Sequence, residues 1–244
     1  MQASPAETVR TLAHGHRPAQ VHVAWSDTVW TAPSATDETG KPLLLTRDGG
    51  GLANAMLGLD ATDIAVAISY ADTPPVDGAP SRGRAWVCGW ARPVPSDRRR
   101  DAAVTFSRAN PLPDLLGIGE GFTLWEVSVD EVRWECDGRT VEIGPDEYHA
   151  AEPDPWYGVE TDLLHHLHHH PEVIHALTEH IRRRVPEAVR VTPLRIDRHG
   201  TIVGVHCGSK MDERRFFVRH LPTADAAVPG SDCPNCPNRY CAAD

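Results

Sequence analysis

The sequence predicts an α+β chain in two parts. An antiparallel sheet able to close into a small barrel occupies residues 1–145, and a helix-plus-sheet domain occupies 146–228. Three observations carry this. Up to residue 143 the apolar residues recur mostly with a period of two, and no long helix separates the strands, which disfavours parallel βαβ packing. At "GPDEYHAAEPDPW" three prolines, with Asp146 and Asp154, frame a short helix and a boundary. From 158 to 184 the spacing turns helical, and three short apolar runs follow.

The elements follow in order. Residues 4–13 read as a helix capped by Ser4, with Pro5 in its first turn and Glu7 three residues after the cap. "QVHVAW" alternates as a half-buried strand. "PLLLT" is a continuous apolar run, as for a strand buried on both faces. "DIAVAISY" and "RGRAWVCGWARPV" are longer strands rich in β-branched and aromatic residues. "GGGLANAML" reads as a loop feeding a short helix, and "ADTPPVDGAPSRG" as a connection that no central strand can hold. A helix near 97–108 starts at Ser96 or Asp97. "FTLWEVSVDEVRWEC" alternates over its whole length, and Cys136-Asp137-Gly138-Arg139-Thr140 turns it back through Asp-Gly. About six such strands can close a small barrel. Beyond the helical stretch, "AVRVTPLRID", "TIVGVHC" and "RRFFVRHL" are short strands, the first two joined by Asp197-Arg198-His199-Gly200. Residues 229–244 are polar and cysteine-rich and read as a tail.

Composition narrows the function classes. A chain of 244 residues has ample material for a core. Its formal charge of −10 works against bulk nucleic-acid binding, and Arg98-Arg99-Arg100 reads as a solvated helix start. No run of about eighteen apolar residues exists, and "MQASPAETVRTLAHGHRP" has no long apolar segment, so a cytoplasmic protein with no membrane attachment is expected. Thiols stay reduced there, so the six cysteines are not expected to form a disulfide framework.

Seven of the 14 histidines fall in "ETDLLHHLHHHPEVIHALTEH". Leu163, Leu167, Ile174, Leu177 and Ile181 mark an apolar stripe, and His170 fills the gap in it. His165, His168, His169 and His180 point to water or the flanks. Pro171 either kinks one helix or opens a second at its first position. Two readings of His170 stay open. One is a half-buried imidazole bonded to backbone at the break. The other is a ligand, with His166 at i−4 able to share one bound group. At the other end, "CPNCPNRYC" gives Cys233, Cys236 and Cys241 the spacing of a thiolate site for zinc or an iron–sulfur cluster, one ligand short of a closed set. The alternative is a tail with reactive thiols.

From Pro145 to Ala226 the chain resembles the small domain that accompanies a split β-barrel in the HugZ-type haem-utilisation proteins and their actinobacterial relatives. The order of motifs carries the resemblance: the histidines from His165 to His170, the Asp197–Gly200 turn, and Arg215 beside Phe216 and Phe217. The first 143 residues are similar to the pyridoxamine-phosphate-oxidase and flavin-reductase type of barrel. The resemblance implies a homodimer with cofactor sites at the interface. It also implies haem or FMN as cofactor and, in the haem branch, oxidative opening of the ring for iron release. Two departures stand out. Histidines replace the Asn and Asp of the family's helix motif, and only Arg47, Arg82 and Arg84 offer themselves to an FMN phosphate.

Three functions therefore compete: a haem-binding protein, an FMN-dependent oxidoreductase, and a non-catalytic module that senses haem or metal. For haem, His170 and then His166 are the candidate axial ligands. Trp86, with Trp90, can line an apolar pocket, and Arg84 and Arg82 can pair with the propionates.

Overall fold

The computed structural model describes residues 3–58, 63–208 and 210–219. They form two compact units. Residues 3–73 with 81–154 make one, a barrel unit, and residues 155–219 with 74–80 make the other, a small unit. The sequence pattern predicts a boundary after 145. The division falls after Asp154, because the short helix read there, α4 (Pro145–Ala150), packs on barrel-unit elements.

The barrel unit opens with helix α1 (Pro5–Ala13). Its cap is reciprocal: the Glu7 amide donates to Ser4 Oγ at 3.2 Å, and the Ser4 amide donates to the Glu7 carboxylate at 2.7 Å. The strands are β1 (Ala19–Val23), β2 (Val29–Ala32), β3 (Ser34–Thr36), β4 (Pro42–Arg47), β5 (Ile64–Ala71), β6 (Arg84–Pro93), β7 (Phe122–Cys136) and β8 (Arg139–Ile143). They form one antiparallel sheet in the order β2-β1-β5-β6-β7-β4-β3, with β8 also on β7. Strands β2 and β3 differ from the sequence expectation, because at four and three residues they are too short to show a period. Helix α2 (Gly51–Leu57) follows β4 as expected.

Strand β7 is the spine. One edge pairs with β6; the other pairs with β4 at its start and β8 at its end. The Asp-Gly hairpin holds, with Asp137 at φ 50° and Gly138 at φ 73°. A bulge interrupts the β6–β7 register, pairing Cys88 with Glu131 and Gly89 with Val129. Asp130 is the extra residue, and its carboxylate accepts from Trp90 Nε1 at 2.7 Å. A Cβ on Gly89 would lie 1.7 Å from the Ser128 carbonyl oxygen, so the bulge requires glycine.

The inward face is a cross-strand row. Val21, Ile68, Val87, Val132 and Ile143 are successive partners from β1 to β8, and all are buried. Strand β4 is buried on both faces, as "PLLLT" predicted. Leu43 and Leu45 pack with Phe106 of helix α3 (Arg99–Ala109), while fully buried Trp125 donates to Thr46 Oγ1 at 2.9 Å. Neither Ser96 nor Asp97 caps α3. Its cap position is Arg98, with no side-chain cap bond, and Arg98 is more than a solvated helix start. Its guanidinium grips Glu126 through two bonds of 2.9 and 2.7 Å, joined by Arg92 at 2.7 Å. Burial pushes the Glu126 carboxyl up, but the bonds from Arg98 and Arg92 outweigh it and hold the group below its ordinary range.

In the small unit the helical stretch is two helices, α5 (Glu160–His168) and α6 (Pro171–Arg182), of which the second opens on its proline. The buried stripe differs from the one read in the sequence. Leu164, Ile174, Thr178 and Ile181 are buried, whereas Leu163 and Leu167 are half-buried. The helices cover a three-stranded antiparallel sheet of β9 (Arg190–Asp197), β10 (Gly200–Cys207) and β11 (Lys210–Arg219), in the order β11-β10-β9. The tight turn forms because Asp197 Oδ1 accepts from the amides of His199 and Gly200, at 2.8 and 3.0 Å. Segment 74–80 joins this unit through Arg195, whose Nε donates to the Pro80 carbonyl at 2.6 Å. Among the described residues no helix is long and apolar enough to cross a membrane.

One buried cation ties the barrel unit's edges together. Arg10, 2% exposed, donates to the carbonyls of Ala151 and Glu38, each at 3.0 Å, and lies over the ring of buried Tyr148. The Tyr148 hydroxyl donates to the Gly40 carbonyl at 2.7 Å. Gly40 has φ +90°, and a Cβ there would lie 1.7 Å from Arg10 Nη1. Gly40→Ala is therefore expected to destabilise the protein by about 3 kcal/mol, through backbone strain and displacement of a buried charge. Urea unfolding of parent and variant measures this.

Candidate functional site

The break between α5 and α6 gathers the histidines. The chain closes α5 with bonds from the His169 amide to the His166 carbonyl (2.9 Å) and from the His170 amide to the Leu167 carbonyl (3.1 Å). His170 then occupies the cap position of α6. Helical spacing brings the rings into two pairs, His166 with His170 at 4.5 Å between centroids and His165 with His169 at 4.7 Å. The His170 side chain is 21% exposed, so it is half-buried at the break and not a member of the buried stripe. Its Nδ1 lies 2.6 Å from Glu172 Oε1. A carboxylate on Nδ1 fixes the ring's orientation and tautomer and makes Nε2 a better electron donor. That bond, with the Glu172 backbone bond, holds the Glu172 carboxyl below its ordinary range. Burial, then His170 and His169, lowers the His166 pKa; burial, then Arg190, His165 and His169, lowers that of His168. Both rings are thereby kept in the neutral, coordinating form.

The barrel unit carries the other named residues. On β6, Arg84, Trp86, Cys88 and Trp90 share the face opposite the buried row. The Arg84 guanidinium lies 5.9 Å from the Trp86 ring centroid, and His22 of β1 lies 5.3 Å from the same ring. Trp86 Nε1 and His22 Nε2 are both buried and have no hydrogen-bond partner among the described residues. Ala67, the cross-strand partner of both His22 and Cys88, lines the same face, and exposed Val29 pairs with His22 at its edge. Arg82 is used differently. Its amide donates to Asp72 at 2.9 Å, its carbonyl accepts from Trp134 Nε1 at 2.7 Å, and its guanidinium lies 3.9 Å from Asp154.

The five predicted cofactor residues thus fall into two groups, His166 with His170 and Arg84 with Trp86, while Arg82 joins the Asp72 and Asp154 carboxylates. Arg47 is exposed at the end of β4. Cys233, Cys236 and Cys241 lie outside the described residues. Among the described residues no group of three or more His, Cys, Asp or Glu side chains is arranged to hold a metal ion. Burial pushes the Cys88 thiol up, reinforced by Glu131, so it is a poor thiolate nucleophile. Sequence reasoning passed over two residues. Glu172 was signalled only by its place two residues after His170, and His22 by its outward position in the alternation of "QVHVAW".

No protein-family model matches the chain, and no curated protein matches it by sequence. Solved structures do. The structure of a haem-binding protein from Mycobacterium smegmatis superposes with a TM-score of 0.65 at 20% identity, over 90% of this chain and 89% of that one. The chain has the split-barrel fold. The chain is also similar, over about half its length, to ChuZ of Campylobacter jejuni (TM-score 0.40, 11% identity, 56% and 60% covered) and to an FAD-binding protein from Mycobacterium smegmatis (0.38, 17%, 53% and 93%).

The histidine break gives the small unit a pH dependence whose sign follows from burial. His166 is held below the ordinary value of 6.5, so on acidification the unfolded chain takes up its proton before the folded one does. Its contribution to stability is complete above pH 6.5 and is lost as the pH falls through the folded value. His166→Asn is expected to shrink the stability difference between about pH 7.5 and 5.5. Urea unfolding at the two pH values reads it.

Proposed function

We propose that the chain binds haem, which His170 would hold through Nε2, with His166 as the next candidate. The supporting observation is the fold likeness, spanning 90% of the chain, to a haem-binding protein. The residues present fit the group. His170 is half-buried, fixed by Glu172, and neighboured by an imidazole kept neutral by burial. Bound haem would supply an iron centre for dioxygen and electron chemistry, including the ring opening that the family resemblance implies. The protein's part is to hold one imidazole at a fixed angle, with the Glu172 carboxylate on its Nδ1. An FMN site finds less support. Of the three arginines available to its phosphate, Arg82 lies against Asp154, Arg84 lies over the Trp86 ring and Arg47 is exposed at the end of β4.

The proposal extends to assembly. The outward face of β6, with half-buried Trp86 and exposed Trp90, suits a homodimer contact of the barrel units. Trp90→Glu is expected to weaken a dimer by about tenfold or more, read by sedimentation across micromolar concentrations. A parent that sediments as a monomer there removes this part of the proposal.

Hemin titration tests the ligand. His170→Ala is expected to lose the Soret shift that the parent shows, while His168→Ala keeps it. Equal spectra for both variants and the parent would remove His170 from the role. A purified protein that carries a flavin band and gives no Soret band would replace haem with flavin.

A further inference from the structure

A second exposed apolar region of the barrel unit is remote in character from the histidines. Helix α3 and the 3-10 turn Pro113–Gly117 border an open groove of about 760 Å³. Its floor is preformed, because Leu112, Leu115 and Ile118 lean on the core cluster around Phe106 and Leu124. Its rim exposes what folding normally hides: Leu116 is 94% exposed and Val104 is 52% exposed. The polarity is one-sided. Arg99 and Arg100 stand together at the first turn of α3, and the remaining lining is apolar but for Ser107, whose hydroxyl donates to the Val104 carbonyl at 2.8 Å. Arg98 is taken up by Glu126, whereas Arg99 and Arg100 are exposed and make no ion pair with a carboxylate among the described residues; Arg99 Nε donates to the Val94 carbonyl at 3.3 Å, which holds its guanidinium in place.

We infer that this groove takes a single-headed amphiphilic anion, a long-chain carboxylate being the simplest. The apolar chain lies along Val104, Leu112 and Leu116, and the head meets Arg99 and Arg100. Charge complementarity selects this occupant. A neutral apolar molecule has no use for two cations grouped at one end. A polyanion would use the arginines but not the leucine wall, and would approach a chain of net charge −10. An anion with one head and a long apolar body matches both ends.

The test is a fluorescence titration of the full chain with cis-parinaric acid, with oleate and oleyl alcohol as competitors. Leu116 is almost wholly exposed, so Leu116→Asp leaves the urea unfolding midpoint unchanged while weakening parinarate binding by about tenfold or more. Arg99→Gln with Arg100→Gln weakens parinarate about fivefold and leaves oleyl alcohol unaffected. His170→Ala has no effect, which separates this groove from the haem proposal. Parinarate binding that survives both sets of substitutions overturns the inference, as does an alcohol that competes as well as oleate against the parent. If the parent binds no parinarate and Leu116→Asp converts a larger sedimenting species to a smaller one, the groove is a contact between copies of the chain and the inference is likewise overturned.

Discussion

Burying one ion pair fixes where the histidine-bearing helix begins. Glu160, at the first position of α5, and Arg195, in β9, are 3% and 2% exposed and bonded at 3.2 Å. Each has a second tie. Glu160 Oε1 accepts from the Ile196 amide at 3.1 Å, and Arg195 Nε donates to Pro80 at 2.6 Å. A buried pair contributes little net stability, because both charges lose their water. Removing one partner is different, typically costing about 3–5 kcal/mol, since the other charge is left buried. The pair therefore acts mainly as a register pin. It admits one placement of α5 on β9, and with it one position for the break that carries His166 and His170.

The barrel unit depends on a constraint of another kind. Strand β7 must satisfy β6 along one whole edge and two shorter strands along the other. The bulge at Asp130 lets the inward row keep its apolar side chains while the strand pair bends. Glycine at 89 makes this possible, and Asp130 answers the indole of Trp90. Packing of the buried row and orientation of the outward aromatic face are thus set by the same local event.

Much of this was legible in the sequence, for physical reasons that differ by element. The β7–β8 hairpin was readable because Asp-Gly supplies the two positive φ angles that such a turn demands. The α5–α6 break was readable because a proline in mid-helix permits only a kink or a new start. Strands β2 and β3 were not, since Pro33 divides segments too short to show a period. The caps of α3 failed because Arg98 was recruited by Glu126, a residue distant in sequence, in place of a local cap. In the candidate site, helical spacing located His166 and His170, but the buried side of α5 was misjudged. Leu164 points inward, and a break in the helix resets the phase that a continuous stripe assumes. The role of Glu172 depends on a side-chain conformation, and that of Arg82 on two distant carboxylates, so neither has a signal in spacing.

The two exposed apolar regions of the barrel unit differ in chemistry, and the difference decides what each can accept. On the outward face of β6, the nitrogens of Trp86 and His22 are shut away from water with no partner among the described residues. An orphaned buried group costs about 1–3 kcal/mol, and a docking partner cannot reach these two; the polar groups that the face presents are the Arg84 guanidinium and the exposed Asp130 carboxylate. The groove beside α3 has no such deficit. Its arginines are exposed, Arg99 also donating to the Val94 carbonyl, and its wall is aliphatic. Covering it removes apolar surface from solvent and changes little else. The first face therefore favours a partner of matched polarity, such as another copy of the same sheet, and the second favours a chain whose only polar demand lies at one end.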